Sequence, residues 1–512
     1  LTDSSDKPRK TLSLKRDKPA DADSDKPVAR SKPPVRFNPL MRNRAIDRTP
    51  EAKPDKPARA KPAKPGPEAQ GSGHERRRAK PGAEGAPARP RSGAPDERRP
   101  RSDGSAPRPP RDERRTHFVD RKKPRPAAPP KANQYTFFVP CPRGLEDELA
   151  KELGEIGIDS AQAGPGGVTF EGGLIDAWRV NLWSRLGIRV LWRLKTGAYT
   201  LEDDLYEAAM SIDWPEHFSV DQTIAVTTVA RSSPLKSLNF VSLKVKDAVC
   251  DRFREVGDSR PSVDAREPKA PILIYLNKDQ YSLYIDLTGD PLNRRGYRVE
   301  PAPAPLNENL AAGLLRLAGW TPETPLLDPM MGGGTILLEA GLMALNRAPG
   351  LKRHFAFENL KSFDKVEWAR LRKDAQAAAL EPKTLPIYGC DIDPAMVRAT
   401  GLNLRAAGLL DCIAIDEGDA LEIPAPEDHG VLISNPPYGV RLGVEDMAAL
   451  YDGLGDTLKQ HFAGWRAYLL SADPELPKQI GLKSSRRVPL YNGPLECRLY
   501  EYKLVAGSNR KD

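Results

Sequence analysis

The chain has 512 residues, and its formal charge of +9 hides two unlike parts. Residues 1–133 hold 36 of the 79 Lys and Arg against 18 of the 70 Asp and Glu, a net of +18, so the remainder carries −9 and is not a generally basic nucleic-acid binder. Five scattered cysteines with no Cys-x-x-Cys pair exclude a zinc motif and a disulfide framework, and no apolar run approaches the roughly 18 residues that a membrane span needs.

The first 133 residues contain 24 of the 51 prolines, no Trp or Cys, and Phe37 and Phe118 as their sole aromatics. Such a segment buries too little apolar surface to offset chain entropy, so a disordered tail is expected. Its runs Glu75-Arg76-Arg77-Arg78 and Arg121-Lys122-Lys123-Pro124-Arg125 suit weak, salt-sensitive, sequence-blind RNA contact. A solvating tail with no fixed partner is the other reading. The acids interspersed there speak against a transit peptide, and with Leu at position 1 the true N-terminus stays open.

Order is expected from residue 135. Residues 135–139 read as a strand, and 144–156 as a helix with Leu145, Leu149, Leu153 and Ile156 at helical spacing. Residues 168–170 read as a strand, and 174–191 as a helix with Trp178, Leu182 and Leu186 inward. A β-rich run at 223–229 precedes a helical stripe of Leu238, Val241, Val245, Val249 and Phe253, and strands follow at 272–276 and 281–286. Strands alternating with single helices predict α+β layers.

From residue 301 the pattern becomes a βα repeat. Helix 307–318 leads to strand 325–328 and helix 335–345, then to an insert at 347–384. Strand 386–390, helix 394–407, strands 413–416 and 430–434, helix 446–461 and strand 466–471 follow. Segments 485–491 and 496–504 flank Asn492-Gly493 as an antiparallel hairpin. The prediction is α/β: a doubly wound, mostly parallel sheet with a hairpin at its edge.

Chemistry-bearing residues recur where these strands end. Leu326-Leu327-Asp328 runs into Pro329-Met330-Met331-Gly332-Gly333-Gly334-Thr335 and a helix, a turn that lets backbone approach a ligand and aims helix N–H groups at it. It is neither GxGxxG nor a Lys-bearing nucleotide loop. Asp391 closes the next strand, where a carboxylate accepts both hydroxyls of a ribose, and Asp393 suits the N-cap of the helix beginning at Pro394. Asp419 follows the third strand, as a partner for an adenine amine or as a plain loop residue. Asn435-Pro436-Pro437-Tyr438-Gly439 follows the apolar Val431-Leu432-Ile433-Ser434. The Asn435 carboxamide oxygen and the Pro436 carbonyl suit a planar NH2 group, whose delocalised lone pair makes it a poor nucleophile. Two prolines stiffen the turn, and Tyr438 offers a stacking face. A Pro-rich turn with no further role is the alternative for that motif taken alone.

Together these features resemble class I S-adenosylmethionine-dependent methyltransferases, in the amino-methylating group with an Asn-Pro-Pro-Tyr motif. The resemblance implies that Asp328, Pro329, Gly332, Gly333, Gly334 and Thr335 face the methionine portion of the cofactor. It implies that Asp391 holds ribose and Asp419 adenine, that Asn435, Pro436, Pro437 and Tyr438 form the catalytic turn, and that no metal takes part. Met331 and Gly333 stand where the pattern often has Cys and Ser, which removes a hydroxyl and leaves the backbone cradle. The insert stretches the spacing from Asp328 to Asp391 beyond the roughly 20 residues of a simple dinucleotide fold.

The region ahead carries Arg143-Gly144-Leu145-Glu146-Asp147-Glu148-Leu149, Leu243-Lys244-Val245-Lys246-Asp247-Ala248, Arg260-Pro261-Ser262-Val263-Asp264, Asp286-Leu287-Thr288-Gly289-Asp290 and Arg294-Arg295-Gly296-Tyr297-Arg298. These are similar to THUMP-containing ribosomal RNA methyltransferases, in particular the large-subunit guanine-N2 group, the L half of fused K/L enzymes. The resemblance implies an RNA-binding module and a guanine N2 amine of 23S ribosomal RNA (free or in a precursor particle) as acceptor, while the scattered cysteines suit reduced thiols in a cytoplasmic protein. The K half of fused relatives, with its second methylation, is not expected. The residues add a basic stretch at 231–254 and three arginines around Tyr297. Lys244, Lys246, Arg252, Arg294, Arg295 and Arg298 become candidates for phosphate contact, with a solvated helix face as the alternative.

The expected organisation is a tail over 1–133, the start of a ferredoxin-like α+β module over 134–172, a THUMP-type region over 173–300 and a methyltransferase domain over 301–512. Adenine N6 methylation of RNA or DNA, and a non-catalytic RNA-binding assembly protein, are the competing functions.

Overall fold

The computed structural model describes residues 134–299, 306–437 and 444–506, without the side chains of residues 444 and 445. The tail reading of residues 1–133 and the role given to Tyr438 lie outside the described residues. The first half contains β1 (Tyr135–Pro140), α1 (Glu146–Glu155), β2 (Gln162–Gly164), β3 (Gly167–Gly172), α2 (Leu174–Trp183), β4 (Leu191–Ala198), α3 (Glu202–Met210), α4 (Trp214–His217), β5 (Ile224–Arg231), α5 (Leu238–Val256), β6 (Ala270–Asn277) and β7 (Gln280–Asp286). Its strands form one sheet in the order β2-β3-β1-β4-β7-β6-β5. All neighbours are antiparallel except the parallel pair β5 and β6.

The second half contains α6 (Glu308–Leu317), β8 (Leu326–Asp328), α7 (Thr335–Ala344), α8 (Lys365–Ala378), β9 (Ile387–Asp391), α9 (Pro394–Ala407), β10 (Ala414–Glu417), β11 (Gly430–Ser434), α10 (Val444–His461), β12 (Trp465–Ser471), α11 (Leu476–Gln479), β13 (Arg486–Asn492) and β14 (Leu495–Lys503). The strand order is β10-β9-β8-β11-β12-β14-β13. The first five are parallel, and β14 runs antiparallel to both of its neighbours. Strands β8 and β11 are buried throughout, as is β9 up to Asp391, because helices cover both faces of a parallel sheet. The chain winds outward from β8 through β9 to β10, then returns to lay β11 on the other side of β8. That reversal opens a crevice at the carboxyl ends of β8 and β11.

Two stretches depart from the sequence expectation. The helix expected over 174–191 stops at Trp183, and residues 191–198 pair instead with β1 and β7. The cause is a buried carboxylate from α1. Glu152 accepts the Ser184 hydroxyl at 2.7 Å and the backbone N–H groups of Arg185 and Leu186 at 3.0 and 3.3 Å, so the chain is captured as it leaves the helix. The insert at 347–384 is also structured. Asp364 caps α8 by accepting from the N–H groups of Val366 and Glu367. Trp368 of α8 meets Phe357 edge-on at 5.0 Å, and Phe357 stacks on Trp178 of α2 at 5.3 Å. The insert thus joins the first sheet's layer to the second.

A buried polar network makes the same connection. Glu339 of α7 is fully buried, and its Oε1 accepts from Arg295 Nε at 3.3 Å and the Tyr297 hydroxyl at 2.9 Å. Arg295 Nη2 donates to the Arg185 carbonyl at 2.5 Å, and Arg185 Nη2 donates to the carbonyls of Leu342 and Arg347 at 3.2 and 2.7 Å.

Candidate active site

A cleft of about 730 Å³ opens at the strand ends of the second sheet. Asp328 from β8, Asp391 from β9, Asp419 beyond β10 and Asn435 beyond β11 all line it, together with Pro329, Gly332, Gly333, Thr335 and Pro437. Gly334 and Pro436 are not among its walls. Gly334 turns the chain into α7 at φ +75°, and a Cβ there would lie 2.5 Å from Thr400 Cγ2. Residues far apart in sequence therefore meet at one opening because successive parallel strands end there.

The glycine turn is held from outside and below. Thr400 Oγ1 donates to the Gly332 carbonyl at 2.7 Å, and Asn403 Nδ2 to the Gly333 carbonyl at 3.1 Å. The Gly332 N–H donates to Asp391 Oδ2 at 2.8 Å, and the Asp393 N–H to Asp391 Oδ1 at 3.0 Å. Each Asp391 oxygen keeps a further lone pair for a ligand hydroxyl. Burial pushes the Asp391 carboxyl up, against the lowering effect of those two N–H bonds. Asp393 instead caps α9, accepting from the Ala395 N–H at 2.8 Å ahead of a first helical proline. Asp419 Oδ1 accepts from the Leu421 N–H at 2.9 Å.

The holding pair Thr400 and Asn403 escaped the sequence reading. Both are buried polar residues on the face of α9 that also buries Val397 and Leu404. A polar pair at i and i+3 on an otherwise apolar helix face is the signal that marks them.

Asp328 is buried, with Oδ1 accepting the Ser434 hydroxyl at 2.7 Å and the Met330 N–H at 3.3 Å. Burial pushes its carboxyl up to about 7, with the Asp391 charge adding to the rise and the Ser434 and Met330 bonds opposing it. The folded protein therefore keeps a proton that the unfolded chain releases near 3.8. The resulting stability is fully present below about pH 4 and is lost as pH rises through about 7. It amounts to at most about 4 kcal/mol, since each tenfold change in proton affinity corresponds to about 1.36 kcal/mol. Asp328→Asn keeps the acceptor oxygen and removes the ionisation. Its thermal midpoint should rise relative to that of the ligand-free wild type as pH is taken from 5 to 8. Parallel melting curves across that range would remove the charge from Asp328 as their source.

Asn435 sits where β11 ends. Its Oδ1 is buried and has no hydrogen-bond partner among the described residues. Pro436 is buried, and the Pro437 carbonyl accepts the Tyr451 hydroxyl at 3.4 Å, fixing the turn to α10. An unsatisfied acceptor inside a protein costs about 1–3 kcal/mol, so one kept at a cleft is suited to a donor that arrives with a ligand.

The basic candidates fare differently. Arg295 is withdrawn from any phosphate contact, because its side chain is 2% exposed and committed to Glu339. Arg298 is corrected in the same way. Its guanidinium turns inward to Glu308 and Thr335 and lines the cleft. Tyr297 is buried and offers no stacking face. Of the three arginines only Arg294 stays at the surface. Lys244 pairs with Asp203 at 2.6 Å, Lys246 with Asp247, and Arg252 with Glu255 at 2.9 Å and Asp213 at 3.5 Å. The cationic excess of residues 231–254 is partly met through space by acids outside that window.

Comparison with known proteins matches three family models in succession along the chain. Residues 136–191 match the RlmL ferredoxin-like domain, 199–286 the THUMP domain, and 295–501 the RMKL-like methyltransferase domain. A relative from Synechocystis sp., named "Putative RNA methyltransferase slr0064", is 40% identical over 370 residues, covering 72% of this chain and 96% of the relative. The chain belongs to the THUMP-containing, RMKL-like methyltransferase family. The "Ribosomal RNA large subunit methyltransferase K/L" of Shewanella frigidimarina is 41% identical over 385 residues, covering 74% of this chain and 54% of that protein. The chain thus spans about half the length of the K/L relatives it matches. The solved structure titled "Crystal structure of SMU.472, a putative methyltransferase complexed with SAH" superposes with a TM-score of 0.68 at 30% identity, covering 74% of this chain and all of that one. The second sheet is accordingly that of a class I methyltransferase, preceded by ferredoxin-like and THUMP modules.

Proposed function

We propose that this chain transfers a methyl group from S-adenosylmethionine to the exocyclic N2 amine of a guanine in 23S ribosomal RNA. The observation that carries the reading is the buried, unpartnered Oδ1 of Asn435, a residue that lines a cleft together with Asp328, Asp391 and Asp419. A planar exocyclic amine brings two N–H donors. Asn435, which lines the cleft, accepts one of them, which holds the nitrogen still and localises its lone pair toward the donor methyl. The relatives' names support RNA as substrate, and the neighbour solved with SAH supports S-adenosylmethionine as donor.

In this reading Asp391 accepts the ribose hydroxyls, Asp419 the adenine amine, and the turn from Pro329 to Thr335 takes the methionine end. The cofactor's sulfonium supplies an already activated methyl, so the chain contributes mainly positioning. The base leaves its stack to reach Asn435, with Tyr438 as its platform. Arg294, Lys244, Lys246 and Arg252 reach phosphate by exchanging their present carboxylate partners, Arg294 from the most exposed position. The site of action is the cytoplasm.

The test is labelled-methyl transfer onto large-subunit RNA from cells lacking the protein, followed by digestion to nucleosides. N2-methylguanosine is expected. Label in N6-methyladenosine would move the acceptor to adenine, and failure to bind S-adenosylmethionine in calorimetry would favour an assembly factor.

A further inference from the structure

Among the described residues, five carboxylates line the cleft (Asp328, Asp391, Asp393, Asp419 and Asp446) and Arg298 is its one cation. The guanidinium is anchored on one side. Nε and Nη2 donate to Glu308 Oε1 at 3.3 and 3.0 Å, and Nη2 also donates to the Leu306 carbonyl at 3.1 Å and to Thr335 Oγ1 at 3.3 Å. The opposite nitrogen, Nη1, is buried and has no partner among the described residues. A buried donor left without a partner carries a desolvation cost; Arg185 Nη1, Arg252 Nε and Arg316 Nε share that state among the described residues, and Arg298 alone of the four lines the cleft. This one is pinned through two nitrogens and leaves the third open, beside the residue that begins α7.

S-adenosylmethionine carries a sulfonium, an ammonium and one carboxylate. Its two cationic groups suit walls rich in Asp. Its carboxylate meets repulsion along those walls and, among the described residues that line the cleft, finds a complementary charge only at Arg298, to which the first-turn N–H groups of α7 add their partial charge.

We propose that Arg298 is the specificity residue for the amino-acid end of the cofactor, with Nη1 donating to its carboxylate and Glu308 holding the guanidinium plane in place. The inference rests on the methyl-transfer reading above. It assigns to Arg298 the discrimination between S-adenosylmethionine and adenosyl thioethers or sulfoniums that lack the carboxylate.

Calorimetric titration of the full chain tests this without any turnover. The ligands are S-adenosylmethionine, its decarboxylated form, which differs only in the missing carboxylate, and 5′-methylthioadenosine, which keeps the nucleoside end. Wild type should prefer S-adenosylmethionine to the decarboxylated form by about 10- to 100-fold, as expected of one charge-assisted hydrogen bond at about 1.4 kcal/mol per factor of ten. Arg298→Gln should abolish that preference and leave affinity for 5′-methylthioadenosine within about twofold, which also verifies a folded cleft. Arg298→Lys should recover part of the preference, since it keeps the charge without the planar fork. A preference that survives Arg298→Gln would overturn the assignment. Equal weakening of all three ligands would overturn it too, as the mark of a purely structural arginine. Wild type binding none of the three would instead remove the methyl-transfer reading itself.

Discussion

Asn435→Ala is expected to lower methyl transfer by about 10²–10³-fold, the range found when one polar group aimed at a reacting centre is deleted. The expectation follows from what Asn435 does in the ligand-free protein. Its Oδ1 is buried and unpartnered, so alanine removes an unsatisfied acceptor and the thermal midpoint should hold or rise slightly. Cofactor affinity should stay within about threefold, because the cradle is fixed by Thr400, Asn403 and Asp391, and none of these depends on Asn435. Activity and stability therefore move in opposite directions, which a residue of purely structural importance does not produce. Asn435→Asp keeps an acceptor oxygen in place and should lose less than alanine. Single-turnover transfer with cofactor at saturation separates the effects. Wild-type turnover in Asn435→Ala, or a parallel fall in turnover and cofactor affinity, would remove the acceptor role from this side chain.

Local signals made the second half legible. Residues 431–433 form an apolar run, and the structure buries the whole strand from 430 to 434 within a sheet covered on both faces. Helix 394–407 was bounded at both ends by its own chemistry: Asp393 and Pro394 start it, and Gly408 ends it in the left-handed region at φ +67°. The order of Asp328, Asp391, Asp419 and Asn435 along the chain became one cleft because parallel strands bring consecutive ends to one edge.

What could not be read is what long-range partners decide. The apolar spacing of Trp178, Leu182 and Leu186 continues a helix on local grounds, and only Glu152, 32 residues before Ser184, ends it. Arg294 to Arg298 has the composition of a basic surface. Two of its three arginines are instead internal, because Glu339 lies 44 residues beyond Arg295 and Glu308 lies 10 beyond Arg298. Charge in a sequence window states how many cations are present, and the fold decides which of them face water.

Glu339→Ala is expected to be the most destabilising single change at the junction between the two sheets, costing about 3–5 kcal/mol, the usual cost of stripping one partner from a buried ion pair. Arg295 would be left charged and 2% exposed, with its Nε unpaired. The Tyr297 hydroxyl would lose its acceptor in the same step. Glu339→Gln keeps an acceptor oxygen for Tyr297 but not the charge, so its loss should be smaller. The double change Glu339→Leu with Arg295→Met removes both charges and should recover much of the stability, since replacing a whole buried pair by apolar groups is often close to neutral. Arg295 and Arg185 also bind the end of α2 to α7 and the turn after it. The alanine variant should therefore loosen the coupling of the ferredoxin-like module to the methyltransferase domain, and a single calorimetric transition should broaden or split. Because α7 begins at the glycine turn, cofactor affinity should fall with that coupling and return in the double variant. A loss below about 1 kcal/mol for Glu339→Ala would place it among ordinary surface substitutions, and the junction would then have to be held by the aromatic packing of Trp178, Phe357 and Trp368 instead.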